Sequence, residues 1–122
     1  MLLDSNAIIY SVKPEFDALR RFIAEYNPSV SAISYVEVLG YHQLTEPDKE
    51  DFVEFFDTAR IIPVTQSVLI QAVALRQQRK MSLGDAIIAA TALLNELTLV
   101  TANITDFRWI EDINLMNPLT EL

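Results

Sequence analysis

Residues 83–101, LGDAIIAATALLNELTLVT, decide the fold because they join a long apolar helix to a buried strand. Residues 83–96 are predicted to be helical, and their four alanines allow other segments to approach closely. Residues 97–101 are mostly β-branched or large aliphatic residues, which is typical of a buried strand. A polar turn follows at residues 102–106. This stretch predicts a central helix leading into a strand of an α/β sheet.

Further strands and helices alternate along the rest of the chain. The other strand candidates are residues 1–3, 29–33, 61–64 and 113–116. The other helix candidates are residues 15–26, a segment from Ser34, a segment from Pro47, and residues 66–80. The predicted buried stripe of this last helix comprises Val68, Leu69, Ala72, Val73 and Leu75. We expect one domain over residues 1–122 with an α/β fold, in which three α/β/α layers enclose a mostly parallel sheet of four or five strands.

Composition excludes several classes of protein. The chain has 122 residues and is 51% hydrophobic, which suits a single folded core. The absence of Cys excludes disulfides, cysteine nucleophiles and thiolate metal sites. Neither a signal peptide nor an apolar run of about 20 residues is present, so we expect a soluble, cytoplasmic protein without membrane contact. The net charge of −8 argues against binding nucleic acid by general electrostatic attraction.

Four acidic residues occupy the junctions between predicted strands and helices. Asp4 follows the first strand, and Glu37 lies near the start of the helix after the second. Asp85 lies in the first turn of the apolar helix, and Asp106 follows the strand at 97–101. Because such junctions of a parallel sheet open onto one edge, we expect the four carboxylates to meet in one cleft.

Each acid taken alone has a structural alternative. Ser34-x-x-Glu37 has the form of a capping box. Ser82 with Asp85 is a similar arrangement, and Asp4 can cap the helix that follows it. Acids near helix N-termini are favoured by about 0.3–1 kcal/mol whatever their chemistry. Spacing alone therefore leaves both interpretations open.

Four segments of the chain together resemble one protein family. They are LLDSN at residues 2–6, SYVEVLG at 34–40, LGDAIIAATA at 83–92 and LVTANITDF at 99–107. Each motif alone is weak, but all four occur in order and at the usual separations over nearly the whole chain. Together they resemble the PIN-domain family, specifically its VapC-like toxins.

The resemblance implies an endoribonuclease that cleaves RNA phosphodiester bonds with Mg²⁺ or Mn²⁺ and is blocked by a cognate antitoxin. The implied catalytic and metal-binding acids are Asp4, Glu37, Asp85 and Asp106. Asp4 and Asp85 are the expected direct ligands. Asp106 binds directly or through water, and Glu37 is a ligand or orients a water. Some relatives carry the fourth acid at the position of Asn103, so Asn103 and Asp106 stay alternatives for the nearer ligand. A homodimer is also implied.

Other side chains near the acids have predicted supporting roles. Ser5, Thr101 and Asn103 are predicted to hydrogen-bond to the acids or to bound water. Three basic residues upstream of Asp85 can contact RNA phosphates, with a solvated helix end as the alternative: Arg76, Arg79 and Lys80. Trp109 is interpreted as a core anchor rather than a base-stacking platform. The chain has one His, which excludes catalysis by an imidazole acid–base pair.

Two other functions stay open. A catalytically silent PIN-like binding or regulatory module would suit the acidic composition, and a PIN nuclease could also act outside any toxin–antitoxin system. The acidic cleft in a chain of net charge −8 further favours a basic protein segment as a tight partner, because Arg pairs bidentately with carboxylates.

Overall fold

The computed structural model describes residues 1–121, within which there are five strands, seven α-helices and one 3-10 helix at Pro14–Phe16. The strands are β1 (Leu2–Leu3), β2 (Ser29–Ser31), β3 (Ile61–Ile62), β4 (Leu99–Val100) and β5 (Leu115–Met116). The helices are α1 (Ser5–Ser11), α2 (Asp17–Tyr26), α3 (Ala32–Leu39), α4 (Glu46–Thr58), α5 (Gln66–Gln78), α6 (Leu83–Leu94) and α7 (Ile104–Phe107). Every predicted strand is present but shorter than predicted. Leu122, the last residue of the predicted domain, lies outside the described residues.

The five strands are all parallel and lie in the order β3-β2-β1-β4-β5, which confirms the predicted α/β class and parallel sheet. Strands β2 and β3 lie on one side of β1, and β4 and β5 lie on its other side. The strand order therefore reverses between β1 and β4. Such a reversal leaves a crevice beyond the carboxyl ends of the two strands, where parallel α/β sheets bind ligands.

The central strands pack against helices on both faces of the sheet. Leu2 and Leu99 belong to an apolar cluster with α5 and α6, whereas Leu3 and Val100 belong to a second cluster with α1 to α4. All four leucine and valine side chains are fully buried. Because successive side chains of a strand point to opposite faces, even a two-residue strand contributes one side chain to the apolar cluster on each face of the sheet. This arrangement is the predicted three-layer architecture.

Helix α6 is the central helix that the sequence predicts, since residues 86–92 are all buried. The prediction for α5, which packs against it, was partly wrong. Its residues Val68, Ala72 and Leu75 are buried, but Leu69 and Val73 are exposed. Helix α5 lies on the outside of the layer and buries only one stripe against the core, so its remaining apolar side chains face outward. Within residues 1–121, no helix has the length and apolarity needed to cross a membrane.

The start of α3 corrects the predicted capping box. Ser31 caps this helix, with its hydroxyl accepting a hydrogen bond from the Ile33 N–H at 3.2 Å. The strand therefore ends at Ser31, and the helix begins at Ala32, two residues before Ser34. This earlier start places Glu37 in the second helical turn, too far along to cap the helix. Ser34 is instead fully buried.

Candidate functional site

Asp4 lies at the crevice between β1 and β4 and is fixed through both carboxylate oxygens. The residue is only 2% exposed. The Ser5 N–H donates to Oδ1 at 2.8 Å, which makes Asp4 the predicted cap of α1. The Thr101 hydroxyl donates to Oδ2 at 2.8 Å and accepts from the Asn103 N–H at 3.0 Å. Two of the three predicted supporting residues therefore bind Asp4 directly, and the third positions Thr101.

Burial makes the ionised form of Asp4 costly. Desolvation raises the pKa of this carboxyl from 3.8 to about 6, although the hydrogen bond from Thr101 lowers it. The negative charges of Asp85 and Glu37 raise the same pKa, and the hydrogen bond from Ser5 lowers it. A cation beside Asp4 would relieve this cost, because an opposite charge favours the ionised form.

Glu37 reaches the same place from α3 through a chain of hydroxyl groups. The Ser5 hydroxyl lies 2.7 Å from Glu37 Oε1 and 2.8 Å from the Ser34 hydroxyl. Because Ser5 has one hydroxyl proton and a carboxylate oxygen only accepts, Ser34 donates to Ser5 and Ser5 donates to Glu37. The Glu37 carboxylate also lies against Gly84 of α6, where a methyl group would overlap it.

Sequence reasoning missed the roles of Ser34 and Gly84. Ser34 was assigned to a helix cap, and only the earlier start of α3 frees its hydroxyl for Ser5. Gly84 carried a usable signal, since a glycine inside an apolar helical segment often marks a close approach. The side chain that approaches it comes from a distant part of the sequence and could not be named.

Asp85 and Asp106 complete the acidic group from two further elements. Asp85 lies in the first turn of α6. The Ser82 hydroxyl caps this helix, as predicted, by accepting a hydrogen bond from the Asp85 backbone N–H at 3.1 Å. Burial raises the pKa of the Asp85 carboxyl, and a separate hydrogen bond between the Ser82 hydroxyl and the carboxylate lowers it. The negative charges of Asp106 and Glu37 raise the same pKa. Asp106 is exposed and lies in the short helix α7 rather than in the predicted turn.

The structure thus brings the four predicted acids into one electrostatically coupled group: Asp4, Glu37, Asp85 and Asp106. Within residues 1–121, none of the four forms a salt bridge. In the same part of the chain, no three His, Cys, Asp or Glu side chains are close enough to ligate one metal ion together. The donor set therefore fits a hydrated cation held directly by one or two carboxylates, which is how proteins usually bind Mg²⁺.

A cavity of about 600 Å³ opens beside the acidic group. Asp85 and Asp106 line one part of it, and the three basic residues predicted to contact phosphates line another: Arg76, Arg79 and Lys80. Trp109 packs against the apolar cluster of α5 and α6, as predicted, and its partly buried side chain also lines the cavity. Positive charge, an aromatic ring and two acids thus share one concave surface.

Comparison with known proteins relates this arrangement to a family. The profile of the PIN domain matches residues 1–111. No curated protein sequence matches the chain. Among solved structures, a toxin-antitoxin complex from Klebsiella pneumoniae contains a chain that is 30% identical, with 96% of each chain covered and a TM-score of 0.77.

Two more distant structures share the fold. VapBC2 from Rickettsia felis, bound to a promoter DNA fragment, is 22% identical over 95% of this chain and 96% of that chain, with a TM-score of 0.80. DNA-bound VapBC from Salmonella typhimurium is 20% identical over 96% of each chain, also with a TM-score of 0.80. The profile match over residues 1–111 and the 30% identical chain from Klebsiella pneumoniae show that the chain belongs to the PIN-domain family.

Proposed function

We propose that the chain is an endoribonuclease that depends on Mg²⁺ or Mn²⁺, in which four acids hold the hydrated metal, directly or through its water ligands, and position the attacking water: Asp4, Glu37, Asp85 and Asp106. The observation that carries this proposal is the buried Asp4 carboxylate, which is coupled to other acids and has no salt-bridge partner within residues 1–121. Carboxylates gathered in this way repel one another unless a cation joins them. Membership of the PIN family, whose members are in general nucleases, supports the same conclusion.

Each acid contributes to the chemistry from a different element. A bound divalent cation lowers the pKa of a coordinated water and stabilises negative charge on the phosphate. Asp4 is a rigid ligand, because its two hydrogen bonds restrict rotation while each oxygen keeps a lone pair for the cation. Glu37, held by Ser5, orients the attacking water or takes its proton. Asp85 and Asp106 act as ligands directly or through water.

The basic edge of the cavity is suited to the phosphates of the substrate. Arg76, Arg79 and Lys80 share the cavity with Asp85 and Asp106, so a bound RNA backbone would pass beside the acids. The Arg76 Nε donates to the Met81 carbonyl at 3.3 Å, which orients its guanidinium group. This local positive charge would attract the phosphates of RNA to the cavity, although the net charge of the chain is −8.

The same nuclease is proposed to be the cytoplasmic toxin of a toxin–antitoxin pair. A toxin–antitoxin complex is among the similar structures, and the uncompensated acids would attract an Arg of a basic antitoxin segment. A homodimer is supported by apolar side chains on the outer face of α5, where Leu69, Ile70 and Val73 are 47%, 63% and 57% exposed. An apolar surface of this kind is typical of an interaction site.

A cleavage assay tests the proposal. Single-stranded RNA and DNA of one sequence are incubated with the purified protein in Mn²⁺ or in EDTA. We expect RNA cleavage that requires metal and is lost in Asp85→Asn, which keeps its backbone hydrogen bond to Ser82. Asp57→Asn, an exposed change on α4, is the matched control and should cleave normally. Cleavage of neither polymer would favour a silent binding module, and preferential cleavage of DNA would indicate a nuclease with another role.

A further inference from the structure

Trp109 forms a fixed aromatic surface at the edge of the acidic group. Its indole Nε1 donates to the backbone carbonyl of Asp106 at 2.9 Å, so the ring is anchored to one of the proposed metal-binding residues. The side chain lines the cavity beside Asp85 and is partly exposed there. A ring held in this way has a set distance from any phosphate bound at the acids.

Arg79 lies over this ring and lines the same cavity. Its guanidinium carbon lies 5.6 Å from the centroid of the Trp109 ring, within the range of a cation–π contact. Arg79 is exposed, so it can move off the ring without breaking core packing. The planar guanidinium can stack on a flat group and can also bind a phosphate through two hydrogen bonds.

The charge of the chain makes such a stacking surface significant. A net charge of −8 removes most of the long-range attraction by which proteins gather nucleic acid. Stacking of a base on an aromatic ring does not depend on long-range attraction and tolerates any base. The cavity volume of about 600 Å³ is within the range that holds a small-molecule ligand, so it has room for one nucleotide.

On the basis of the nuclease function proposed above, we propose that Trp109 and Arg79 clamp one unpaired nucleobase next to the phosphate that is cut. The base stacks on the Trp109 ring, Arg79 closes over it or pairs with its phosphate, and the adjoining backbone reaches Asp85 and Asp106. A base within a duplex is already stacked and cannot enter. The clamp therefore selects single-stranded RNA, and it defines Trp109 as a residue that sets substrate specificity.

The experiment uses Trp109 as its own probe, because it is the sole tryptophan of the chain. Wild-type protein in EDTA is titrated with an oligouridylate of about ten nucleotides, within the site sizes of single-strand binders. The same titration is made with a ribose-phosphate chain that lacks bases and with a duplex RNA. We expect the oligouridylate to quench Trp109 fluorescence and the other two polymers to leave it unchanged.

Steady-state cleavage of the same oligouridylate in Mn²⁺ then compares variants. We expect Trp109→Leu to raise KM about 5- to 100-fold with little change in kcat, since it removes one stacked base, whereas Trp109→Phe should stay close to wild type. Arg79→Gln should also raise KM. Arg108→Gln is the matched control, because Arg108 is exposed on the same segment but does not line the cavity.

The outcomes separate this inference from the function on which it depends. If the wild type cleaves RNA but Trp109→Leu and Arg79→Gln keep its KM, the clamp is refuted and the nuclease stands. Equal quenching by the chain without bases also refutes it, as does quenching by a basic antitoxin peptide but not by RNA. If the wild type neither binds nor cleaves RNA, both proposals fail. Should Trp109→Leu not fold, Arg79→Gln and the fluorescence titration decide.

Discussion

Replacing Asp4 by Asn should make the metal-free protein more stable at neutral pH, although Asp4 is the most buried of the four acids. The rise of the Asp4 pKa from 3.8 to about 6 means that ionised Asp4 costs the fold about 3 kcal/mol. The amide of Asn removes this charge and can still accept the Ser5 N–H. It loses the acceptor of the Thr101 hydroxyl, a change that costs about 1 kcal/mol. We expect a net gain of about 2 kcal/mol in the free energy of unfolding.

The pH dependence of this gain follows from the sign of the shift. Because the folded state binds the Asp4 proton more tightly than the unfolded state, the Asp4 contribution to stability falls as pH rises from about 4 to about 6. Above pH 6 the cost is constant, and below pH 3.8 it vanishes because both states are protonated. The advantage of Asp4→Asn should therefore be full at pH 7 and largely gone at pH 4.

Urea unfolding in EDTA at these two pH values measures the effect, with Asp57→Asn on α4 as an exposed control. Saturating Mn²⁺ should reverse the order of stability at pH 7. The wild type would gain about 2.7 kcal/mol when the metal is at 100 times its Kd, whereas the variant would gain little. The reasoning would be refuted if Asp4→Asn were less stable than wild type at pH 7 in EDTA. It would also be refuted if the difference in the free energy of unfolding between the two proteins were the same at both pH values.

Four further changes test other contacts. Gly84→Ala should displace the Glu37 carboxylate and lower cleavage at least tenfold while thermal stability stays the same or rises, because Ala favours a helix by about 1 kcal/mol. Thr101→Val should lower the free energy of unfolding by about 1–3 kcal/mol, because it leaves the Asn103 N–H without an acceptor. Urea unfolding measures the change, and an unchanged free energy of unfolding would contradict this reasoning. An antitoxin-derived peptide should inhibit RNA cleavage less strongly as the Mn²⁺ concentration rises, because metal and an Arg of the peptide compete for the acidic group. An inhibition constant that changes neither with Mn²⁺ nor with Arg→Ala in the peptide would exclude the acidic group as its target. Ile70→Lys should turn a dimer into a monomer in sedimentation experiments, and a monomeric wild type would disprove the α5 interface.

The sequence alone determined which elements form and which residue types stand at their ends. The apolar stretch that became α6 and the strand after it were recognisable because helix and strand periodicities are local properties of the chain. The same locality placed Asp4 after β1 and Asp85 in the first turn of α6. The sequence-based prediction of the N-cap of α3 was wrong, because Ser31 and Ser34 are both suitable caps and only the end of β2 selects Ser31. The prediction was also partly wrong for α5, where both sides of the helix are apolar.

Only the tertiary structure decided what surrounds each acid. The Thr101 hydroxyl meets Asp4 across 97 positions of sequence because β4 returns to pair with β1, and parallel pairing of this kind leaves no local signal. Desolvation of Asp4, which raises its pKa, likewise depends on side chains contributed by several distant elements. The contact of Glu37 with Gly84 and the cavity that joins Arg79 to Trp109 arise in the same way, from helices packed together after folding. Local propensity can place a carboxylate at the end of a strand, but its hydrogen-bond partners and its burial are properties of the assembled sheet.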